Sequence, residues 1–250
     1  MSCGLRNLMK KITYDIEWTV ERSHWWFTGR RRLLKYLLSS LGIQQDSPIL
    51  DVGCGVGSNL DLLKSMGFEV IGIDSEIYSL GLAKRRLSTS MLLNGSIMNL
   101  PIKSNSIGII IATDILEHLI QDTGGIHEIH RTLKHGGKVI FTVPAFRFLW
   151  GIQDVVGKHI RRYSKMELTK KIEEEGFKIL KSSYFNFFIF VPILLGRRLI
   201  HIFGLKIESE NEINSPIINF FLKSIFSLEP YLLKYFSFPF GVSIFCIAQK

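Results

Sequence analysis

The sequence predicts an α/β fold built around a mostly parallel sheet. Residues 47–144 alternate short apolar runs with amphipathic stretches, which is the pattern of repeated strand and helix units. The links between these runs are short, as crossover connections require. The chain has 250 residues, of which 46% are hydrophobic and 21% charged. This composition supports a large core and excludes disordered, collagenous and solenoid proteins.

The first half of the predicted sheet follows from the apolar runs after residue 46. We expect strands at residues 47–52, 68–74 and 91–93, with helices at 59–66 and 76–87 between them. The strands read as continuous apolar segments, which is typical of strands covered on both faces.

The second half continues the same rhythm. We expect strands at residues 107–112, 138–143 and 177–183, with helices at 125–133 and 164–175. A last strand at 242–248 brings the total to about seven, and we expect it to run antiparallel and to close the sheet through a hairpin with a long connection.

Three regions flank or interrupt this core. We predict an N-terminal helical cap at 1–45, with a helix from Arg30 to Leu41, and a core made of 46–184 and 239–250. Residues 185–238 form an apolar helical insertion, with helices near 187–202 and 213–235. This insertion is a substrate lid or a membrane contact.

Charge and composition narrow the setting of the protein. The three cysteines show no CxxC spacing, and no secretory signal is read at the N-terminus, so we expect a cytoplasmic protein. The longest uncharged runs near the C-terminus have fifteen residues, too few to span a bilayer. Residues 156–206 carry eleven Lys and Arg against four Glu, which suggests an anionic substrate or surface and leaves nucleic acid an unlikely partner.

A glycine-rich turn follows the first strand. Gly53, Gly55 and Gly57 alternate with other residues between a buried strand and a helix, where backbone can approach a ligand closely. Asp51 precedes the first glycine by two positions. A carboxylate there can accept hydrogen bonds from a ligand ammonium but would repel a pyrophosphate. Asp74 ends the second strand, where a carboxylate reaches ribose hydroxyls; a helix N-terminal acid is the alternative.

Five segments together resemble the class I S-adenosylmethionine-dependent methyltransferases. In order, they are ILDVGCGVG, VIGIDSE, NGSIMNLP, ATDILEHL and LKHGGKVIFTVP, and they cover about residues 47–144. The resemblance implies a Rossmann-like seven-stranded sheet and S-adenosyl-L-methionine as cofactor. It assigns the methionine portion to Asp51 and the three glycines, and the ribose to Asp74. It places Ser96 and Ile97 beside the adenine, although family members often have an acid where Ser96 stands.

The candidates for chemistry come after the fourth strand. Asp114 is assigned to the cofactor pocket, and His118 is a candidate general base. If this segment is helical, Asp114, Glu117 and His118 share a face. The three could then hold a divalent metal ion, as in some quinone O-methyltransferases, or could only brace the cofactor loop. Our assignment includes no metal ligand.

Two flanking motifs resemble a narrower subgroup of these methyltransferases, associated with glycan or lipid pathways. They are HWWFTGRR at residues 24–31 and LWGIQDVVGKHIRRYS at 149–164. We assign His159 as a second candidate base. Arginine gives bidentate contacts to anions, so five flanking residues are assigned to substrate: Trp25, Trp26, Arg161, Arg162 and Tyr163.

The sequence therefore predicts a methyltransferase that methylates a small-molecule or lipid-linked anionic acceptor, at oxygen. Phenylalanines in the insertion, followed by Arg197 and Arg198, suggest peripheral contact with the inner face of the membrane. Two alternatives stay open: an NAD-dependent oxidoreductase, and a non-catalytic membrane-associated scaffold with the same fold.

Overall fold

The computed structural model describes residues 11, 14–42, 47–87, 91–203 and 215–250. Its centre is one seven-stranded sheet, which confirms the predicted fold class. The strands are β1 (Ile49–Val52), β2 (Val70–Asp74), β3 (Met91–Asn94), β4 (Ile107–Thr113), β5 (Leu133–Pro144), β6 (Lys178–Phe185) and β7 (Ser243–Gln249).

The strands are ordered β3-β2-β1-β4-β5-β7-β6, and β7 runs antiparallel to both of its neighbours. All four residues of β1 are buried, as expected for a central parallel strand covered on both faces. The chain passes from β1 to β2 on one side and, later, to β4 on the other. This reversal opens a crevice at the carboxyl end of β1, which is where α/β sheets bind ligands.

Helices cover both faces of the sheet. They are α1 (Trp25–Ser40), α2 (Ser58–Ser65), α3 (Ile77–Arg86), α4 (Asp122–Thr132), α5 (Ile152–Val156), α6 (Lys165–Glu174), α7 (Phe190–Phe203) and α8 (Pro216–Leu232). Residues 14–20 are also helical. Helix α1 begins five residues before the predicted Arg30, because the His24 side chain caps it by accepting a hydrogen bond from the Trp26 N–H at 3.3 Å.

Two further details differ from the prediction. Strand β5 begins at Leu133 instead of residue 138, because Leu133 already pairs with Ile107 of β4. After β4 the chain forms only a three-residue 3₁₀ turn, Leu116–His118, where a longer helix was considered. Asp114 precedes this turn with a φ of 49°, a left-handed conformation that ends the strand.

The insertion between β6 and β7 contains α7 and α8. Helix α8 packs along α1, where the Phe226 ring lies directly against Gly29. The buried Glu229 carboxylate of α8 accepts hydrogen bonds from the backbone N–H groups of Asn186 (2.6 Å) and Phe188 (3.3 Å). The insertion is thus bound to the core at the end of β6. The first residues of the predicted second helix, 213 and 214, lie outside the described residues.

The outer surface of the insertion is apolar. Many large hydrophobic side chains of α7, α8 and the segment after α8 are exposed: Val191, Leu195, Leu199, Ile202, Ile217, Ile218, Phe220, Phe221, Leu228, Tyr231, Tyr235 and Phe236. Among the described helices, none combines the length and the hydropathy needed to cross a bilayer.

Candidate cofactor and acceptor site

The glycine turn after β1 has the backbone conformation that the sequence predicts. Gly53, Gly55 and Gly57 have φ angles of 76°, 52° and 85°, which favour glycine. A Cβ on Gly53 would lie 2.6 Å from Cδ1 of Ile115, so a larger residue would clash. A Cβ on Gly55 would meet no atom within 4 Å, so this part of the turn faces open space. The turn can therefore receive a ligand.

Asp51 lies beneath this turn and is fully buried. Neither of its carboxylate oxygens accepts a hydrogen bond from the described residues, and the amide of the nearby Asn59 donates to Thr113 Oγ1 at 3.0 Å. Burial, with a contribution from the charge of Asp74, raises the pKa of Asp51 to about 7, while Arg30 opposes the rise. An unsatisfied buried carboxylate is costly, and a ligand ammonium group would satisfy it.

Asp74 joins the glycine turn to the start of α3. Its carboxylate accepts a hydrogen bond from the Gly55 N–H and another from the Glu76 N–H, both at 2.8 Å. Each carboxylate oxygen can accept a further hydrogen bond, so the assignment of Asp74 to a ribose stays compatible with this geometry. Asp74 also fixes the shape of the turn, a second function that the sequence did not suggest.

The segment 14–20 contributes groups near Asp74 that sequence reasoning missed. Burial raises the pKa of Glu17 to about 7, and the charges of Glu21 and Asp74 add to this effect. Burial and Asp74 raise the pKa of Tyr14. Glu21 accepts a hydrogen bond from the Ser58 hydroxyl at 3.0 Å, next to the glycine turn. No motif marks these residues, because their position depends on how the N-terminal segment folds back.

The predicted adenine contacts, Ser96 and Ile97, follow β3, where the Gly95 N–H donates a hydrogen bond to the Asp74 carbonyl at 3.0 Å. Ser96 Oγ accepts a hydrogen bond from the Met98 N–H at 3.2 Å, and Ile97 is buried against α4. The described contacts of both residues are thus with the protein itself. The adenine assignment stays a prediction.

Asp114 lies between the glycine turn and the segment that follows β4. It forms an ion pair with Arg30 of α1 and accepts a hydrogen bond from the Thr142 hydroxyl at 3.0 Å. The sequence did not single out Arg30 as a partner. Because Asp114 is held by these contacts, it does not join Glu117 and His118 on one face as the helical alternative would require.

Glu117 and His118 instead meet His159, which comes from the loop after α5. The rings of His118 and His159 are in edge contact, with centroids 4.9 Å apart, and Nε2 of His159 lies 3.9 Å from Oε1 of Glu117. Glu117 is fully buried, and burial, aided by Asp114, raises its pKa well above the usual range. Burial and the proximity of His159 lower the pKa of His118. The two predicted bases are therefore neighbours.

Asp154 orients His159. Nδ1 of His159 lies 2.9 Å from Oδ1 of Asp154. The same oxygen accepts a hydrogen bond from Nε of Arg162 at 2.7 Å, and Oδ2 accepts one from the Gly151 N–H, also at 2.7 Å. Burial disfavours the ionised carboxylate, but the bonds from His159 and Arg162 outweigh it and lower the pKa of Asp154 to about 2. Asp154 is therefore ionised and accepts a hydrogen bond from Nδ1 of His159, which directs Nε2 towards Glu117.

The predicted substrate residues around this cluster are mostly engaged with the protein. Arg162 is buried against Asp154 and the Ala145 carbonyl, and the buried Tyr163 donates a hydrogen bond to Asp122 at 2.8 Å. Arg161 forms an ion pair with the same Asp122 at 2.9 Å. These contacts favour a structural role for the three residues, and their assignment to substrate stays a prediction.

Trp25 and Trp26 lie at the junction of α1 and α8. Both indole rings pack against Phe226, with centroids 6.3 Å apart, and the Trp25 N–H donates to Oδ1 of Asn219 at 2.6 Å. Both side chains are only partly buried. They therefore join the cap to the insertion, and their assignment to substrate stays a prediction.

The fold and this crevice define a Rossmann-like protein that binds a nucleoside cofactor at the carboxyl edge of its sheet. The unpartnered Asp51 carboxylate and the open glycine turn fit the charged methionine end of S-adenosylmethionine. A diphosphate would face an acid at the same position.

Comparisons with known proteins define the family. The model of the methyltransferase domain family matches residues 50–141. An uncharacterized protein of Methanocaldococcus jannaschii is 31% identical over 66% of this chain and 72% of its own length. A probable S-adenosylmethionine-dependent methyltransferase of Mycolicibacterium smegmatis is 26% identical over 52% of each chain, so this chain spans about half its length.

A solved structure agrees in fold. The phosphoethanolamine N-methyltransferase 2 of Haemonchus contortus, in complex with S-adenosyl-L-methionine, superposes with a TM-score of 0.59 at 19% identity, over 87% of this chain and 52% of that one. Residues 50–141 of the chain thus carry a methyltransferase domain, and S-adenosylmethionine is its cofactor. An NAD-dependent oxidoreductase and a non-catalytic scaffold are accordingly not favoured.

Proposed function

We propose that the protein transfers the methyl group of S-adenosylmethionine to an oxygen atom of a small-molecule or lipid-linked acceptor. The observation that carries this proposal is the oriented imidazole of His159. Its Nδ1 is held by the ionised Asp154, and its free Nε2 lies beside Glu117 and His118. An oxygen nucleophile must lose a proton on methylation, and a neutral imidazole held in this way can accept it.

The protein contributes position and proton transfer to this reaction. Asp51 and the glycine turn would hold the methionine end of the cofactor, and Asp74 the ribose. The cofactor supplies a sulfonium methyl group whose departure leaves a neutral thioether. As the acceptor oxygen is methylated, Nε2 of His159 would accept its proton. Because the leaving group is neutral, alignment of the reacting atoms matters more than its stabilisation.

Methylation of total extracts with ¹³C-methyl-labelled cofactor tests the atom methylated. Lipid and polar extracts of the source cells are incubated separately, and the carbon-13 shift of the new methyl group distinguishes O-, N- and C-methyl products. We expect an O-methyl product. We expect His159→Asn to lower its rate by about 10²–10⁴-fold, and the exposed, remote His135→Asn to leave it unchanged. An N-methyl product, or equal rates for both variants, would refute the proposal.

We further propose that the insertion lies on a membrane surface, which favours a lipid-linked acceptor. Helices α7 and α8 expose apolar side chains, carry the basic residues Arg198 and Lys223 outside the core, and have one acid, the buried Glu229. Such a face suits an anionic leaflet. The insertion also reaches the acceptor region, because Arg197 of α7 hydrogen-bonds to the Leu149 carbonyl and lies 3.9 Å from Asp154.

Vesicle sedimentation tests this surface. We expect the full chain to sediment with vesicles of phosphatidylglycerol and phosphatidylcholine, and the double variant Phe220→Ser, Phe221→Ser to remain largely in solution. Both phenylalanines are more than half exposed, so the change spares the core. Ile77→Ser is a matched control, since Ile77 is equally exposed on α3. Equal sedimentation of all three proteins would contradict membrane contact through the insertion.

A further inference from the structure

We infer that Glu117, His118 and His159 form a divalent-cation site. One ligand atom from each residue lies within 4.8 Å of the other two. Two ligands about 2.1 Å from a tetrahedral ion are roughly 3.4 Å apart. The observed 3.9 Å between Nε2 of His159 and Oε1 of Glu117 therefore needs only a small closure.

The Glu117 carboxylate belongs to this cluster and has no hydrogen-bond partner among the described residues. It is fully buried, and neither oxygen accepts a hydrogen bond from the described part of the chain. A buried carboxylate normally pairs with a hydrogen-bond donor, a cation or a metal ion. The lone pair of His159 and the side chain of His118 are its neighbours, and together with the carboxylate they offer three ligand atoms.

The surroundings hold the ligands as a metal site requires. Asp154 accepts the Nδ1 proton of His159, which directs Nε2 inward; metal-bound histidines are typically oriented by a carboxylate in this way. The Ile160 N–H donates to the Glu117 carbonyl at 3.0 Å, joining the two segments that supply ligands. This backbone contact fixes the distance between Glu117 and His159 before any ion binds.

The donor set indicates which ion would bind. Two imidazoles and one carboxylate suit Zn²⁺ and neighbouring first-row transition metals, whereas Mg²⁺ and Ca²⁺ prefer all-oxygen sites. His118 is exposed while Glu117 is buried, so the open coordination position faces solvent, where an acceptor oxygen can enter. This catalytic reading rests on the proposed function: the ion would acidify the acceptor hydroxyl. With the ion bound, Nε2 of His159 would be a ligand, and the proton of the acceptor hydroxyl would pass to solvent water at the open position instead of to His159.

Calorimetric titration of the chelator-treated, untagged full chain with Zn²⁺ tests the site. We expect one Zn²⁺ per chain, and an affinity at least 100-fold lower in both Glu117→Gln and His159→Gln. The exposed His135→Gln, remote from the cluster, should bind as the parent does. Titration with Co²⁺ should give the absorption bands of a low-symmetry, four-coordinate ion in the parent only, and Mg²⁺ should not compete.

Titrations of the same samples with S-adenosylmethionine distinguish failure of the metal site from failure of the proposed function. A parent chain that binds S-adenosylmethionine but no Zn²⁺ would overturn the inference and leave His159 as the proton acceptor. Equal Zn²⁺ affinities in the parent and both variants would overturn it as well. If both variants lose Zn²⁺ but still bind the cofactor, they are folded, and the loss supports the site.

Discussion

Asp51 and Glu117 are both fully buried carboxylates without a hydrogen-bond partner among the described residues, yet their surroundings differ. Asp51 lies under an open glycine turn with another acid, Asp74, nearby. Glu117 lies beside the rings of two histidines, His118 and His159. The difference indicates that Asp51 is suited to an organic cation, and Glu117 to the proton of the acceptor or to a metal ion. The two proposed binding regions lie at the carboxyl ends of β1 and β4.

Arg30 stands between these two regions. Its ion pair with Asp114 places a positive charge that opposes the rise in pKa of both Asp51 and Glu117. Helix α1, which carries Arg30, is in turn held by α8. The helical insertion therefore supports both halves of the site, and disturbing it should affect them together.

The largest effect is expected for Phe226→Ala. Phe226 is buried and lies against Gly29, Trp25 and Trp26, so its removal leaves a cavity between α1 and α8. We expect the free energy of unfolding to fall by about 3–5 kcal/mol. Chemical denaturation measures this loss.

Phe221→Ala, on the exposed side of the same helix, is the control for Phe226→Ala. It should change the unfolding free energy by no more than about 0.5 kcal/mol. Equal effects of the two substitutions would mean that α8 does not support α1 as the structure indicates.

A smaller and more local effect is expected for Asp74→Ala. The substitution removes the acceptor for the Gly55 and Glu76 N–H groups and the assigned ribose contact. We expect S-adenosylmethionine binding to weaken by about 1–3 kcal/mol, measured by calorimetry. Binding of Zn²⁺ should be unchanged, because Asp74 does not belong to the second region. If Asp74→Ala changed the affinity for Zn²⁺ but not that for S-adenosylmethionine, the assignment of Asp74 to the cofactor region would be wrong.

The pH dependence of cofactor binding should be smaller still. With a pKa of about 7, Asp51 is mostly protonated at pH 6 and must release its proton to receive an ammonium group. Affinity should therefore rise about tenfold from pH 6 to pH 8, with proton release at pH 6 seen as a buffer-dependent enthalpy. Asp51→Asn should remove this proton release. An affinity that falls with rising pH would contradict the assignment.

The raised pKa of Asp51 also affects stability, but here a higher pH is expected to lower the free energy of unfolding, whereas it raises the affinity for the cofactor. The pKa of Asp51 is higher in the folded protein than in an unfolded chain, where it is about 4. Between pH 4 and pH 7 the folded state thus binds more protons than the unfolded state. The free energy of unfolding of the cofactor-free protein should therefore fall as the pH rises from 4 to 7. Asp51→Asn should make this dependence shallower in thermal denaturation, while Glu17, whose pKa is raised in the same way, should preserve part of it.

The two regions also differ in how far the sequence predicts them. Asp51 and the glycines are adjacent in the chain and share one strand-to-helix turn, so local pattern suffices to place them. Glu117 and His159 come from segments 42 positions apart, and their contact depends on the loop after α5 and on Asp154. No periodicity encodes that approach. The sequence predicted both histidines but not their pairing, and it grouped Glu117 with Asp114 instead.

Arg162 and Tyr163 also show that contacts between residues distant in the chain cannot be predicted from spacing. The run Arg161, Arg162 and Tyr163 resembles an anion-binding site in sequence. Whether these side chains face solvent depends on the acids with which they pair. Asp122 and Asp154 lie far enough away in sequence that their pairing with these residues could not be read from spacing. The strands, in contrast, follow from apolar runs that are local, which explains why the sheet was predicted almost completely.

Calorimetric titration of the parent chain, Asp51→Asn and Glu117→Gln with S-adenosylmethionine tests the central claim most directly. We expect stoichiometric binding by the parent, a loss of about 10- to 100-fold in Asp51→Asn, and an affinity within about threefold of the parent in Glu117→Gln. Equal affinities of parent and Asp51→Asn, with both proteins folded, would contradict the assignment of Asp51 to the cofactor ammonium.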